Sequence, residues 1–392
     1  MTEASSAVSK KLDDIFTPGS QPSVTYVDRA HLGIETALVK AIHQPGVIVS
    51  LTGPTKSGKT VLCRAVLKEF EYVWIDGGQI KSDDALWERI RSELTIPDEI
   101  RLKAGTSRGA NISGTAGVDG GVPGSGAKFT FTIGGSRLRI NDEERTYRLE
   151  GMHSVIDHLS KNNIVLVIDD FHYLPEIARV SAIQSLKGMV FNRLKFVLLS
   201  TPHRAFEAIK AETEITGRFK HVTMPIWIES DLRLIATTGF KALNVGCPDK
   251  IVDRFCAEAQ GSPLLMQQFC WDICYDSHIR ERGMFQKGIA ETFDVDGLFT
   301  EVARDSGLPL FERLSKGPQS RTERIPRPLA AGGSVDIYTA ILMAIAATGP
   351  RETLNYDQIR TSLNTILAAK TPQKTEVTNA LNQLSSIDKE SN

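Results

Sequence analysis

The chain has 392 residues, 41% of them apolar and 24% charged, and its formal net charge at pH 7 is -1. That length suggests two or three domains with ample material for globular cores, and the charge balance excludes a global basic field that would mark nucleic acid as a partner, while leaving room for a local basic face. No apolar run approaches the ~20 residues that a bilayer span requires, and the polar, Ser- and Ala-rich N-terminus lacks a signal-peptide core, so a cytoplasmic protein without membrane partners is expected.

Residues 1–22 read as a flexible arm. Val24-Thr25-Tyr26-Val27-Asp28-Arg29 then leads into a helix from Leu32 to Ile42. Next comes Val47-Ile48-Val49-Ser50-Leu51, an apolar run that reads as a strand, and directly after it Gly53-Pro54-Thr55-Lys56-Ser57-Gly58-Lys59-Thr60. This octet matches G-x-x-x-x-G-K-[ST], the phosphate-binding loop. Val61 to Leu67 reads as the helix leaving it. The glycines would let backbone N–H groups turn towards phosphates, and the helix N-terminus would add a favourable field for an anion. Lys59 would reach the β- and γ-phosphates, and the Thr60 hydroxyl would ligate Mg²⁺. The competing explanation is a chance Gly-rich turn before a helix, which strand and helix in register argue against.

Tyr72 to Asp76 reads as a second strand, and Asp83 to Leu94 as an amphipathic helix capped by Ser82 or Asp83. From Ala104 to Gly135 the chain is dense in Gly, Ser and Thr. Lys128 to Ile133 alternates like a strand, Gly134-Gly135 is a turn signal, and Arg137 to Ile140 suits a return strand. An inserted β-hairpin segment over 98–146 follows, which either contacts a partner or is a tolerated surface insertion. Residues 147–160 suggest a helix. Ile164-Val165-Leu166-Val167-Ile168 is apolar throughout, as a strand buried on both faces should be, and Asp169-Asp170 closes it. Carboxylates at such a strand end sit where open α/β sheets bind ligands. Asp169 would hold Mg²⁺ and Asp170 would orient or activate the attacking water. Phe171-His172-Tyr173-Leu174-Pro175 precedes a helix to about Val190, with His172 expected in a structural hydrogen bond. Lys195 to Thr201 is the next core strand and ends in two hydroxyls, of which Thr201 is preferred as the group that senses phosphate or orients water. Gly217-Arg218-Phe219 stands just before a fifth strand, His221 to Pro225. Arg218 is either an arginine finger for a neighbouring subunit or a surface residue.

Helices are expected over about Ser230–Ala242, Asp249–Gln260 and Pro263–Asp276, with Gly261-Ser262-Pro263 between the last two and Pro263 in a first turn where its missing N–H costs little. Residues 277–315 look helical, completing a lid over 229–315. Cys270 and Cys274, four apart on a helix, are expected to pack rather than ligate, as reduced buried thiols. Lys316 to Gly333 is rich in Pro, Gly and Arg and reads as a linker, over 316–334, that carries Arg321, Arg324 and Arg327. Over 335–392, helices at Val335–Ala346, Tyr356–Leu367 and Thr375–Leu384 suggest a winged-helix-like unit. The chain stops where wing strands should begin, so either the wing is absent or the chain is a truncated piece. Lys370, Gln373 and Lys374 are a thin basic endowment for DNA.

In this order the motifs resemble the AAA+ and STAND branch of P-loop ATPases, of the Orc-like or archaeal type. The resemblance covers Val24 to Asp276 and the C-terminal unit. Gly53–Thr60 matches Walker A, Ile164–Asp170 matches Walker B, and Ser200-Thr201 falls at the first sensor. Gly217-Arg218-Phe219 looks like the arginine-finger box, and Gly261-Ser262-Pro263 like the G-x-P motif of STAND proteins. It implies an α/β P-loop fold: a core over 23–228 with a five-stranded parallel sheet in the order 5-1-4-3-2, a helical lid, and a winged-helix-like domain. The region of Tyr26, Val27 and Arg29 would lie beside the adenine. An Asp-Asp ending, in place of Asp-Glu, and the missing lid Arg speak against fast hydrolysis. The implied activity is that of an Mg²⁺-dependent ATPase switch that oligomerises and answers to a protein effector or sensor, with bacterial signalling or phage defence as the implied setting. The alternative is a DNA-binding ATPase of the replication-initiator or transposition type. A small-molecule kinase is disfavoured by the extra domains, and a nucleotide-binding module without turnover is the remaining possibility.

Overall fold

The computed structural model describes residues 10–94, 152, 154–190, 194–201, 218–319, 323–351, 353–368 and 371–389. The expected β-hairpin insertion, Gly217, Arg321 and Lys370 lie outside them. The chain divides into two compact units: residues 36–51 with 66–222, and residues 1–35 with 52–65 and 223–392.

The first of these units carries most of a five-stranded parallel sheet. Its strands are β1 (Ile48–Thr52), β2 (Tyr72–Asp76), β3 (Val165–Asp169), β4 (Lys195–Ser200) and β5 (Phe219–Thr223), in the order β2-β3-β4-β1-β5. This is the expected 5-1-4-3-2 read from the other edge. Burial follows position. Every residue of β1 is buried, as are four of five in β3, whereas edge strand β2 alternates and edge strand β5 is mostly exposed. Central strands covered on both faces need continuous apolar runs, and edge strands do not. Val73 and Ile75, Leu166 and Ile168, and Phe196 and Leu198 form the core with Leu86 and Ile90 of the helix Asp83–Glu93 and Ala178, Ala182 and Ile183 of the helix Glu176–Val190. Ser82 caps the helix Asp83–Glu93 by accepting a hydrogen bond from Ala85 N–H. A further helix covers 154–161.

The second unit is helical. Glu229–Leu243, Asp249–Glu258 and Pro263–Asp276 pack around Phe240, Phe255, Met266 and Phe269. The described part of the expected arm is not free. The short helix Leu12–Ile15 puts Leu12, Ile15 and Phe16 into this core, Leu12 N–H donates to Arg280 O, and Trp271 Nε1 donates to Asp13 Oδ1. Apolar residues spaced for one helical turn were masked in the sequence by the polar residues around them. Val24 to Arg29 is irregular chain. Within it Thr25 is a buried tie, its hydroxyl donating to Ile15 O and accepting from Gln267 Nε2. Residues 277–294 are not helical: Val245–Gly246 pairs with Lys287–Gly288, and helices resume only at Val295–Ser306 and Leu308–Lys316.

The stretch read as a linker contains an antiparallel pair, Arg327–Pro328 with Ser334–Val335. Its two described arginines are held in place: Arg324 pairs with Asp336 and covers the Tyr338 ring, and Arg327 pairs with Glu376. The helices Ile337–Ala347, Tyr356–Ile366 and Lys374–Lys389 enclose a core of Ile341, Ala344, Leu363 and Val377. This strand pair precedes the three helices, whereas wing strands are expected after them. No described helix is long and apolar enough to cross a membrane.

Candidate nucleotide-binding site

The loop Gly53–Thr60 joins buried strand β1 to the helix Lys59–Val66, and its conformation demands its glycines. Gly58 has φ of +91°, where an L side chain is strained. At Gly53 a Cβ would come within 2.8 Å of Met224 O and 2.9 Å of Met224 Cβ, so the backbone must pass bare. The loop therefore presents main-chain N–H groups ahead of a helix N-terminus, the arrangement that attracts phosphate. Lys59 is 9% exposed, and its Nζ donates to Gly53 O at 2.9 Å and Pro54 O at 2.8 Å. The ammonium thus lies against the loop's own carbonyls. Lys56 has φ of +62°, Pro54 O accepts from Ser57 N–H, and Thr55 is exposed. Thr60 is partly buried in the first helical turn.

The chain after β5 wraps this loop. Met224 N–H donates to Thr52 O, and Trp227 Nε1 donates to Ser57 O at 2.8 Å. Arg29, in a left-handed turn with φ of 47°, lays its guanidinium over the Trp227 ring, 4.3 Å from the centroid, and donates from Nη1 to Pro225 O. Arg29 is 3% exposed, yet among the described residues its Nη2 has no hydrogen-bond partner, and neither does Ser57 Oγ. A buried polar group left without a partner costs about 1–3 kcal/mol, so two such donors beside one phosphate-type loop mark a place built for a polar ligand. Burial lowers the Arg29 guanidinium from its ordinary value while nearby Asp231 and Tyr26 raise it. Burial, and then a hydrogen bond and charge from Glu35, push the Tyr26 phenol up, so it stays protonated. Val27 packs against the helical core and Pro263 opens the helix Pro263–Asp276, whose cap is Ser262.

In the sheet unit, Asp169 ends β3 and its Oδ1 accepts from Asp170 N–H at 2.9 Å. Asp170 takes a left-handed conformation, φ 48°, with its side chain about half exposed, and His172 Nδ1 lies 4.0 Å from its Oδ1. Ile168 pairs with Leu198, so Asp169-Asp170 and Ser200-Thr201 leave adjacent strands side by side. Ser200 is buried and Thr201 partly exposed. Arg218 stands one residue before β5. Among the described residues no cluster of three or more His, Cys, Asp or Glu is placed to hold a metal.

Comparison with solved structures matches this architecture. The Walker-type ATPase of Pyrococcus abyssi aligns over 90% of this chain and 88% of its own, with a TM-score of 0.54 at 15% identity. The ORC2 protein of Aeropyrum pernix aligns in its ADP form over 96% of this chain and 89% of its own, with a TM-score of 0.52 at 14% identity. Its ADPNP–ADP complexes give 0.51 at 12% identity over 95% and 89%. The chain has the fold of the Orc-type P-loop ATPases. No protein-family model and no curated protein matches the sequence.

Within this Orc-type fold the structure groups Arg29 with the P-loop through Trp227, and Asp169 and Asp170 with Ser200 and Thr201 through neighbouring strands. Sequence reasoning missed Met224, Pro225 and Trp227. A legible signal existed: a Trp in the short segment between the last strand and the first lid helix, where little else would hold an aromatic.

Proposed function

We propose that this protein binds and hydrolyses ATP with Mg²⁺ and works as an oligomerising, nucleotide-controlled switch. The observation that carries this reading is the P-loop, with its bare Gly53 and left-handed Gly58, the Lys59 ammonium against its carbonyls and, beside it, two buried donors that have no partner among the described residues. The Aeropyrum pernix ORC2 structures are ADP and ADPNP–ADP complexes, and the same ligand class is proposed here.

The roles divide by chemistry. Main-chain N–H groups of Gly53 to Thr60 bind phosphate, and Lys59 exchanges its loop carbonyls for phosphate oxygens of higher charge. Thr60 and Asp169 are the residues that would hold Mg²⁺, which when bound neutralises charge on the phosphates. Asp170 accepts a proton from, or orients, water at the end of β3. Thr201 hydrogen-bonds at the neighbouring strand end. Arg29, Val27 and Pro263 are the residues assigned to the nucleoside end. Arg218 is the proposed arginine finger, which requires subunits to meet at the nucleotide. A protein effector follows from the switch reading, and a signalling role, phage defence included, rests on the resemblance alone. The DNA-binding alternative is weakened by Arg324 and Arg327, both engaged in ion pairs within the C-terminal unit. Duplex binding that falls steeply with salt would restore it.

The test compares Lys59→Ala with Asp170→Asn. Asn is well suited to the left-handed backbone at 170, so the second variant removes the charge and little else. Lys59→Ala should lose ATP binding. Asp170→Asn should keep it and lose turnover by about 100-fold or more, the usual scale for a positioned acid–base group. Turnover that survives in Asp170→Asn removes that residue from catalysis.

A further inference from the structure

We infer that Trp227 is a positioning residue that aims a P-loop amide at phosphate and ties the loop to the first lid helix. The inference rests on the nucleotide reading of the P-loop and adds to it a residue that no motif contains.

The argument starts from the planarity of the peptide bond. In a trans peptide, C=O and N–H point in opposite directions. Trp227 Nε1 holds Ser57 O at 2.8 Å, so the N–H of Gly58, in the same peptide plane, is turned to the side away from the indole. Gly58 sits at φ +91°, a conformation with no side chain to lock it, and a loop peptide of that kind flips readily unless one end is held. The indole is the hold.

Trp227 is itself fixed from several directions. It is 8% exposed, its ring is covered by Arg29 at 4.3 Å, and a Cβ added at Gly261 would stand 3.3 Å from its carbonyl oxygen. Three residues before it, Met224 is tied by its N–H to Thr52 O and lies against Gly53. One residue after it, Ile228 caps the helix Glu229–Leu243. A shift of that helix therefore moves the indole, and with it the Ser57–Gly58 peptide. Phosphate in the loop holds the same peptide from the opposite side, so the two events are linked and each favours the other.

The experiment uses Trp227→Phe, which keeps an aromatic ring for Arg29 and deletes the N–H. Binding of ATP, pyrophosphate and adenosine is measured by calorimetry well below the melting temperature, where a general loss of stability leaves affinities unchanged. Pyrophosphate touches the phosphate loop alone, and adenosine the nucleoside side alone. Loss of one oriented hydrogen bond should weaken ATP and pyrophosphate by the same factor, about three- to tenfold, and leave adenosine unaffected. Unchanged pyrophosphate affinity would overturn the role, whatever happens to ATP. Wild-type protein that binds neither ATP nor pyrophosphate would overturn the nucleotide site itself, and that failure is distinct from a missing Trp227 effect. Should Trp227→Phe not fold, the indole N–H resonance of Trp227 in wild-type protein, one of four tryptophans, supplies the readout. It should shift on saturation with pyrophosphate, and an unmoved resonance overturns the proposal.

Discussion

Replacing Gly239 by Ala should destabilise the helical unit, against the direction that helix propensity gives. Gly239 lies inside the helix Glu229–Leu243. In an exposed helix interior, Gly→Ala is worth about 1 kcal/mol of stability. Here the new methyl would stand 2.2 Å from Cε1 and Cζ of Phe16 and 3.0 Å from Thr25 Cγ2. The Phe16 ring is wholly buried and packs edge-on to Phe240 at 5.4 Å, so it cannot retreat without a cavity opening elsewhere. Overpacking of this kind costs about 1–3 kcal/mol, and ejecting the ring would cost about 3–5 kcal/mol. After the propensity gain, the cheaper, overpacked route leaves an expected net loss of up to about 2 kcal/mol. Phe16 would also drag on the Leu12–Ile15 helix and loosen the backbone ties of Lys10 and Lys11 to Arg282 and Glu281, which should open these already exposed lysines to tryptic cleavage. Urea unfolding and limited trypsinolysis read the two effects. Pairing Gly239→Ala with Phe16→Leu should recover part of the loss, because the two sites touch and are not additive. A Gly239→Ala protein as stable as wild type, with unchanged cleavage near Lys10, would refute the docking of this segment.

Two further outcomes are expected from the chemistry of buried groups. Burial raises the Asp336 carboxyl, but the Thr339 N–H and the Arg324 guanidinium outweigh it and hold it below its ordinary value. A carboxyl depressed in the folded state stabilises above its unfolded pKa of about 3.9, and that contribution is lost as pH falls through the folded value. Arg324→Ala should cost the C-terminal unit about 1–2 kcal/mol near neutral pH and less as the pH falls below 4, and equal losses at both ends of that range would contradict the pairing. Burial also pushes the Cys247 and Cys274 thiols up to about 12 and the Cys270 thiol well above its usual range. Iodoacetamide at pH 8 should leave all three unlabelled until the protein is unfolded, and rapid native labelling of any of them would show that the helical core is open.

Local pattern was enough to read the strands of the sheet and the glycine-bearing loop after β1. The continuous apolar runs of β1, β3 and β4 suit central strands covered on both faces, and in G-x-x-x-x-G-K-T the positive φ of Gly58 is a backbone conformation that few residues reach. That β3 ends at Asp169 was legible for the same reason, since the carboxylates close such a run. What lay beyond the sequence depends on partners distant in the chain. The Leu12–Ile15 helix is too short for periodicity to reveal, and only Gly239, more than two hundred residues on, leaves room for Phe16. Arg324 and Arg327 look like solvated linker charges until Asp336 and Glu376 are beside them. The hydrogen bond from Trp227 to Ser57 spans 170 residues and belongs to no spacing rule. Local pattern specifies which segments must be buried and which turns must be glycine. Tertiary structure alone decides which side chain satisfies which buried polar group, because that choice is made by the packing of segments that never adjoin in sequence.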